Sequence, residues 1–292
     1  MPAGRPNRRR ARWPTAAAFA LAAIVALASA PAAGANVVVG QLPATAPAPT
    51  CSTTADYLQP SITGGNLYNV RQAGTITSWS TRSSGDDATY VFKVFRRTSD
   101  PDVFQVIARG SPHELTPGVN TVRVNIAVRS GDIIGLNESG DANSCTFPVF
   151  GDGVLSRGGS LGVGTSGAFL PLSNVRLNLS AVLVPSNDFT VASIKRDPKH
   201  GTATLNLNVP NPGVVTFSGK AMKKRPSKNV AVAGSVHFAI SPVGQRKRKL
   251  EKRGKLTVLP TLTFFPAGGD PASQTFPVKL KQRKRRPRLP SE

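Results

Sequence analysis

The 292-residue chain carries 37 Lys and Arg against 15 Asp and Glu, a formal net charge of +22 at pH 7. It has only two cysteines and three histidines, and no two of them stand at metal-ligand spacing, which argues against a zinc or metal-cluster protein. The length leaves room for two domains of ordinary size.

The chain begins with a segment of export character. Arg5, Arg8, Arg9, Arg10 and Arg12 form a basic head, and residues 16–28 follow as an uncharged apolar run with Phe19, Leu21, Ile24, Val25 and Leu27. Ala33-Gly34-Ala35 fits the small-x-small cleavage rule. Residues 1–35 therefore read as a signal peptide cut before Asn36. Cutting after Ala30 is disfavoured because Pro31 would follow the scissile bond. The apolar run falls short of the roughly 20 residues of a transmembrane helix. The expected product is secreted and extracellular, which sets aside cytoplasmic enzymology and gene regulation. No sortase motif, lipobox or second apolar span is visible, so any association with the cell surface is expected to be non-covalent.

Residues 36–50 open on a Val run and become Ala/Pro-rich through Pro43, Pro47 and Pro49, a composition that reads as an extended spacer. Residues 51–185 read as a neutral β-sandwich domain; residues 36–185 hold ten Lys/Arg and ten Asp/Glu. Residues 75–81 alternate around Trp79, and residues 90–95 alternate through Tyr90, Phe92 and Val94. A Thr98-Ser99-Asp100-Pro101-Asp102 turn makes a hairpin with residues 103–108. In residues 120–129, Val122, Val124, Ile126 and Val128 point one way, and Thr121, Arg123, Asn125 and Ala127 the other. Ser130-Gly131-Asp132 turns this strand into residues 133–136. Residues 175–184 close the unit with Val175, Leu177, Leu179, Ala181 and Leu183 on one face. Many short strands with turns between them indicate a sandwich, here jelly-roll-like. Cys51 and Cys145 are an isolated pair that an oxidising compartment would join in one disulfide, the alternative being two free thiols. Closing so long a loop is worth up to about 4–5 kcal/mol in the chain-entropy account.

Residues 186–188 form a polar joint, and residues 186–281 read as a second, Ig-like sandwich of seven strands. These are residues 189–195, 201–209, 214–218, 230–233, 234–240, 256–265 and 274–281, with a turn at Pro210-Asn211-Pro212-Gly213. Residues 246–253 have the character of one helical turn capped by Gly254. Residues 282–292 read as a basic, disordered tail. After Pro185 there are 22 basic and five acidic residues, a difference of +17, so the basicity belongs to the C-terminal part alone. Such asymmetry points to a polyanion partner, and outside a bacterium the available polyanions are wall polymers, anionic lipid headgroups and shed DNA, of which anionic wall or extracellular polymers are the expected partner. The residues expected to make the contact are Lys223, Lys224, Arg225, Arg246, Lys247, Arg248, Lys249, Lys252, Arg253, Arg283, Lys284, Arg285 and Arg286. The competing reading is a solvated, solubilising surface. Specific nucleic-acid recognition is not expected, because the C-terminal unit has no Trp or Tyr for base stacking.

Tyr68, Gly74-Thr75-Ile76-Thr77-Ser78-Trp79 and Val128-Arg129-Ser130-Gly131-Asp132-Ile133-Ile134-Gly135-Leu136 resemble the N-terminal domain of secreted actinobacterial β-sandwich proteins. The C-terminal unit is similar to the basic Ig-like modules of the same group through Gly201-Thr202-Ala203-Thr204-Leu205, the turn at residues 210–213, the run at residues 249–254 and the turn at residues 265–269. The resemblance covers most of the chain after the signal. It implies the fold and, because its motifs are structural turns in an uncharacterised family, no functional residue.

Sites of chemistry are sparse. Gly158-Gly159-Ser160-Leu161-Gly162 matches a hydrolase nucleophile pattern and Gly162-Val163-Gly164-Thr165-Ser166-Gly167 a dinucleotide fingerprint. Both need a following helix, and residues 151–167 instead read as a flexible Gly-rich loop. His113 and His200 sit in turns and His237 inside a strand, so no triad partner is indicated. The acids near turns (Asp86, Asp87, Asp100, Asp102, Asp132, Glu138, Asp141) lack a calcium-loop pattern. No cofactor and no catalytic or metal residue is therefore expected. Trp79 is the one Trp after the signal, and it belongs either to the core or to a sugar-binding face. The expectation is a secreted, non-enzymatic envelope-associated binding or structural protein. Its first alternative is a carbohydrate-binding module and its second a secreted hydrolase.

Overall fold

A computed structural model describes residues 36–48, 51, 54–85, 88–140 and 144–283. The signal, and Lys284, Arg285 and Arg286 of the tail, lie outside the described residues.

Residues 37–185 form the strands β1 (Val37–Gln41), β2 (Ala55–Leu58), β3 (Gly74–Ser83), β4 (Thr89–Arg97), β5 (Val103–Arg109), β6 (His113–Glu114), β7 (Gly118–Val128), β8 (Ile133–Ser139), β9 (Thr146–Gly158), β10 (Ser166–Ala168), β11 (Leu170–Leu177) and β12 (Leu179–Pro185). All pair antiparallel. One sheet has the order β1-β12-β3-β7, and the other β10-β5-β4-β8-β2-β9-β11, with β6 beside β4. The chain crosses repeatedly between the sheets, as at β3 to β4 and β7 to β8, in the manner of a jelly-roll-like sandwich. The period-two pattern of β7 translates into burial: Ile126 and Val128 face inward, while Thr121, Arg123, Asn125 and Ala127 are exposed. Tyr68, Trp79, Tyr90 and Phe92 fill the space between the sheets with no exposed surface. Cys51 and Cys145 are joined in a disulfide, with Cα atoms 6.0 Å apart.

Two expectations need correction. The Val run of the proposed spacer is strand β1, paired with β12 through Val37–Leu183 to Gln41–Leu179. It supplies an apolar residue, Val39, to the core, which a solvated spacer could not do. Residues 175–184 are also not one strand. They break at Asn178, where the chain leaves the large sheet as β11 and enters the small one as β12.

The register shows what bridges that break. Continuing the β11–β9 ladder places Asn178 opposite Cys145, and its backbone N–H indeed donates to the Cys145 carbonyl at 2.9 Å. Continuing the β12–β3 ladder places Asn178 opposite Arg82, and there the side chain takes over. Its Oδ1 accepts from the Arg82 N–H at 3.2 Å, and its Nδ2 donates to the Arg82 carbonyl at 2.6 Å. Nδ2 also donates to the Ser144 carbonyl, and the Asn178 carbonyl accepts from the Thr81 hydroxyl. A primary amide has the donor and acceptor of a peptide group, so it can stand in for one in a ladder.

Residues 190–281 form β13 (Thr190–Asp197), β14 (Thr202–Val209), β15 (Gly213–Ser218), β16 (Lys228–Val230), β17 (Gly234–Ile240), the helix α1 (Gly244–Arg253), β18 (Lys255–Val258), β19 (Thr261–Pro266), β20 (Ala272–Thr275) and β21 (Val278–Lys281). The orders β13-β14-β17 and β16-β15-β19-β20 are those of an immunoglobulin-type sandwich. Phe189, Phe217, Phe238 and Phe264 lie in its core. The expected strand at 256–265 is divided at Pro260, and that at 274–281 at Pro277. Proline cannot donate to a ladder, and at both points the chain exchanges the β19–β20 pairing for a separate β18–β21 ribbon. The expected helical turn is a ten-residue helix ended by Gly254 in the left-handed region at φ 70, whose N–H donates to the Leu250 carbonyl.

Two predictions follow from the first sandwich. Asn178→Ala strands the Arg82 N–H and two carbonyls, so it should cost about 3 kcal/mol or more in chemical denaturation; a loss under about 1 kcal/mol would show that the corner is not held by this amide. Asp152 accepts from the Thr63 N–H and pairs with Arg176, which also donates to Gln41 of β1. Burial alone would raise the Asp152 carboxyl, but the Thr63 N–H and the Arg176 guanidinium outweigh it and hold the group below the usual carboxylate range. The folded form thus releases its proton more readily than the unfolded one. Its contribution is complete above about pH 4 and is lost as pH falls through the lowered value. Asp152→Asn should flatten the pH dependence of the unfolding midpoint in that acid window and leave a more stable wild type at pH 7.

Candidate functional site

The basic residues do not form one patch. α1 is anchored through a single buried residue, Leu250, and its last turn carries Lys252 and Arg253. Beside it, the β18–β21 ribbon alternates: Val258, Val278 and Leu280 are buried, and Lys255, Lys279 and Lys281 are exposed. Between them runs a groove of about 570 Å³, lined by Lys249, Arg253, Lys255, Leu256, Thr257, Lys279, Leu280 and Lys281. It continues past Arg253, Lys255 and Lys281 to Arg283 and Pro198. Arg283 is fixed there by its backbone N–H to the Pro198 carbonyl at 2.8 Å. Arg196 of β13 donates to the Lys279 carbonyl of the ribbon at 2.8 Å. Among the described residues, no carboxylate lies within ion-pair distance of any of these cations.

Of the residues expected from sequence, the groove gathers Lys249, Arg253 and Arg283. Arg246 is turned to the Thr257 carbonyl, and Lys247, Arg248 and Lys252 are exposed on α1 outside the groove lining. Lys223, Lys224 and Arg225 lie elsewhere, along β17, where Arg225 donates to the Ala239 carbonyl and the Ser241 hydroxyl. Lys255, Lys279 and Lys281 complete the groove, and sequence reasoning left them off the expected set. Their signal was the alternation of polar and apolar residues in Lys255-Leu256-Thr257-Val258 and Val278-Lys279-Leu280-Lys281.

The nucleophile-like Ser160 proves to be part of a pinned cover. Residues 151–158 belong to β9, and residues 159–169 fold over the outer face of the large sheet rather than forming a free loop. Leu161 and Phe169 pack there with Leu58, Phe95, Phe104, Val106 and Ile133. Lys93, entirely buried, donates to Asp56 Oδ1 at 2.5 Å, Ser160 Oγ at 3.0 Å and the Leu161 carbonyl at 2.8 Å. Asp56 Oδ2 accepts from the Leu161 N–H at 2.8 Å. Burial lowers the Lys93 ammonium and Asp56 opposes that shift. All three ammonium protons are engaged, so Lys93 holds the cover and has no lone pair with which to activate Ser160. β10, not a helix, follows the glycines, so neither sequence match has the strand-turn-helix context its chemistry needs.

The remaining candidates have structural partners. Trp79 is fully buried, stacked on Phe92 with ring centres 6.0 Å apart and edge-on to His113 at 6.1 Å, so it belongs to the core and offers no sugar-binding face. His200 pairs with Asp197, and His237 is exposed on β17. Asp132 is held by Arg96 and by the Arg129 N–H. Asp100 accepts from the Asp102 N–H, and Asp86, Asp87 and Asp141 lie outside the described residues. Among the described residues, no three His, Cys, Asp or Glu side chains gather to hold a metal, and no helix is long and apolar enough to cross a membrane.

The Lys93–Asp56 pair can be tested directly. Lys93→Met leaves a buried carboxylate without its cation and should cost about 3–5 kcal/mol. Adding Asp56→Leu should recover most of that loss. Ser160→Ala removes only one of three acceptors at an exposed position and should cost about 1 kcal/mol or less. A double variant no better than Lys93→Met would contradict this account of the pair.

No protein family and no curated protein matches the chain. Among solved structures, it is similar to the crystal structures of a GH2 beta-galacturonidase from Eisenbergiella tayi, one bound to glycerol and one bound to galacturonate. Each alignment has a TM-score of 0.21 and 10% sequence identity, and covers 83% of this chain and 43% of that chain. The chain thus spans less than half the length of these enzymes, and a likeness at this level carries neither their activity nor their ligands to it.

Proposed function

We propose that this chain is a secreted, non-enzymatic binding protein whose basic C-terminal sandwich holds it on anionic polymers of the cell envelope. One observation carries the reading. Lys249, Arg253, Lys255, Lys279 and Lys281 converge on one groove, and no described carboxylate neutralises them. Cations concentrated in a concave surface raise the local concentration of an anionic partner. The disulfide of the first sandwich fits an oxidising, extracellular setting. That sandwich, neutral overall, is the part left to display any further binding surface. The carbohydrate-binding alternative loses the residue that motivated it, because Trp79 is in the core. The hydrolase alternative gains no support from Ser160, whose lysine neighbour is committed to Asp56.

The test is heparin affinity of the full chain over a range of salt, with the quadruple variant Lys249→Ser, Arg253→Ser, Lys255→Ser and Lys281→Ser alongside. Counterion release predicts that log K falls linearly with log salt, by about 0.9 for each phosphate-like contact. The variant should bind more weakly, with a slope shallower by about 3–4. Salt-insensitive binding, or a variant indistinguishable from wild type, would mean that the charge is only solubilising.

A further inference from the structure

Cations stand in pairs on both walls of the groove. Lys279 and Lys281 lie two residues apart on β21, and Lys255 stands directly opposite Lys281. Residues two apart on a strand are separated by six backbone bonds, about 6.5–7 Å. On the facing wall, Lys249 and Arg253 are one helical turn apart, about 6 Å. Each wall therefore carries one pair of cation-bearing positions whose backbone separation is about 6–7 Å. The arrangement is costly when empty: like charges directly opposite on a ribbon repel, as do like charges four residues apart on a helix.

Linear chains with the same interval are those whose phosphates are joined through three carbons, in poly(glycerol phosphate) and, through C5′, C4′ and C3′, in nucleic acids alike. From one phosphorus to the next run P–O, O–C, two C–C, C–O and O–P bonds, again six, with an extended reach of about 7 Å by the same geometry. Leu256, Leu280 and Thr257 line the rest of the groove and no aromatic side chain does, so nucleobases would find no stacking platform. A concave groove also suits one strand of polymer better than a flat sheet of lipid headgroups.

We infer that the groove between α1 and the β18–β21 ribbon binds one strand of a three-carbon polyol phosphate polymer. This rests on the polyanion reading above and narrows it to a ligand class and a site. The full chain would be titrated at matched salt with poly(glycerol phosphate), dextran sulfate of equal charge, a single-stranded oligonucleotide of equal phosphate count, and phosphatidylglycerol vesicles. Poly(glycerol phosphate) should bind about 10-fold more tightly than the other three. Lys255→Ser with Lys281→Ser should erase that preference and flatten the salt slope by about 1–1.5. Both side chains are exposed, so the fold should persist, as an unchanged unfolding midpoint would show. The equal-charge control Lys195→Ser with Lys220→Ser, outside the groove, should keep the preference. Equal affinity for all four ligands, or a preference for oligonucleotide or vesicles, overturns this inference and leaves the polyanion reading standing. A preference that survives Lys255→Ser with Lys281→Ser overturns the groove as its site. Binding to none of the four overturns both.

Discussion

A strand that leaves one sheet of a sandwich for the other must abandon its ladder partners before it meets new ones, and buried peptide groups cannot be left unpaired. The first sandwich depends on how Asn178 resolves that conflict. Its main chain finishes one ladder at Cys145 while its carboxamide begins the other at Arg82. Neighbouring features converge on the same corner. The Tyr68 hydroxyl donates to the Leu177 carbonyl, Gln59 Oε1 accepts from the Leu177 N–H, and Cys145 carries the disulfide to Cys51. The covalent link therefore restrains the region where the two sheets exchange a strand.

The same substitution of a side-chain amide for a peptide recurs. Asn211 exchanges both bonds with Ala73, Oδ1 accepting from its N–H at 2.8 Å and Nδ2 donating to its carbonyl at 2.9 Å. Nδ2 also reaches the Ser186 carbonyl. Asn211 sits in the turn between β14 and β15, so an element of the second sandwich completes the ladder at the end of β3 and β12. Asn120 does the same for Thr116 within one turn. In each case aspartate would lose the donor and leucine both bonds, which makes the residue type specific. The passage at residues 186–188 is thus more than a polar tether: a buried amide is shared across it.

These contacts mark the limit of what could be read from sequence. The period-two pattern of residues 120–129, the turns at Asp100 and Gly131 and the Gly254 cap were legible because each depends on residues near in sequence, and the disulfide because the chain has only two cysteines to pair. Asn178 and Asn211 were not, since an asparagine in a strand-like run or a Pro-rich turn looks like any turn former until its distant partner is known. Lys93 was hidden for a related reason. In residues 90–95 the alternation assigns Tyr90, Phe92 and Val94 to the core and leaves Lys93 on the opposite face, which is correct. Only the fold shows that this face is covered by residues 159–169 and that an ion pair holds the cover down. The Val run of β1 was misread because neighbouring prolines dominate its composition, while its pairing partner lies more than a hundred residues away.

The two sandwiches also use charge in opposite ways. In the first, Lys93, Arg96 and Arg176 are each matched to a carboxylate, so part of the charge is committed to the fold. In the second, among the described residues, the one ion pair is His200 with Asp197, and the one buried polar side chain is Asn211. Its core is otherwise apolar, and no lysine or arginine is required inside it. Those cations repel one another and oppose compaction. A partner that bound the folded form better than the unfolded chain would stabilise it by mass action. The repulsion should be sharpest where backbone geometry fixes the spacing, on α1 and the β18–β21 ribbon, since flexible side chains elsewhere can swing apart. A polyanion seated there, as proposed above, would relieve that repulsion where the backbone does not let the charged positions move apart.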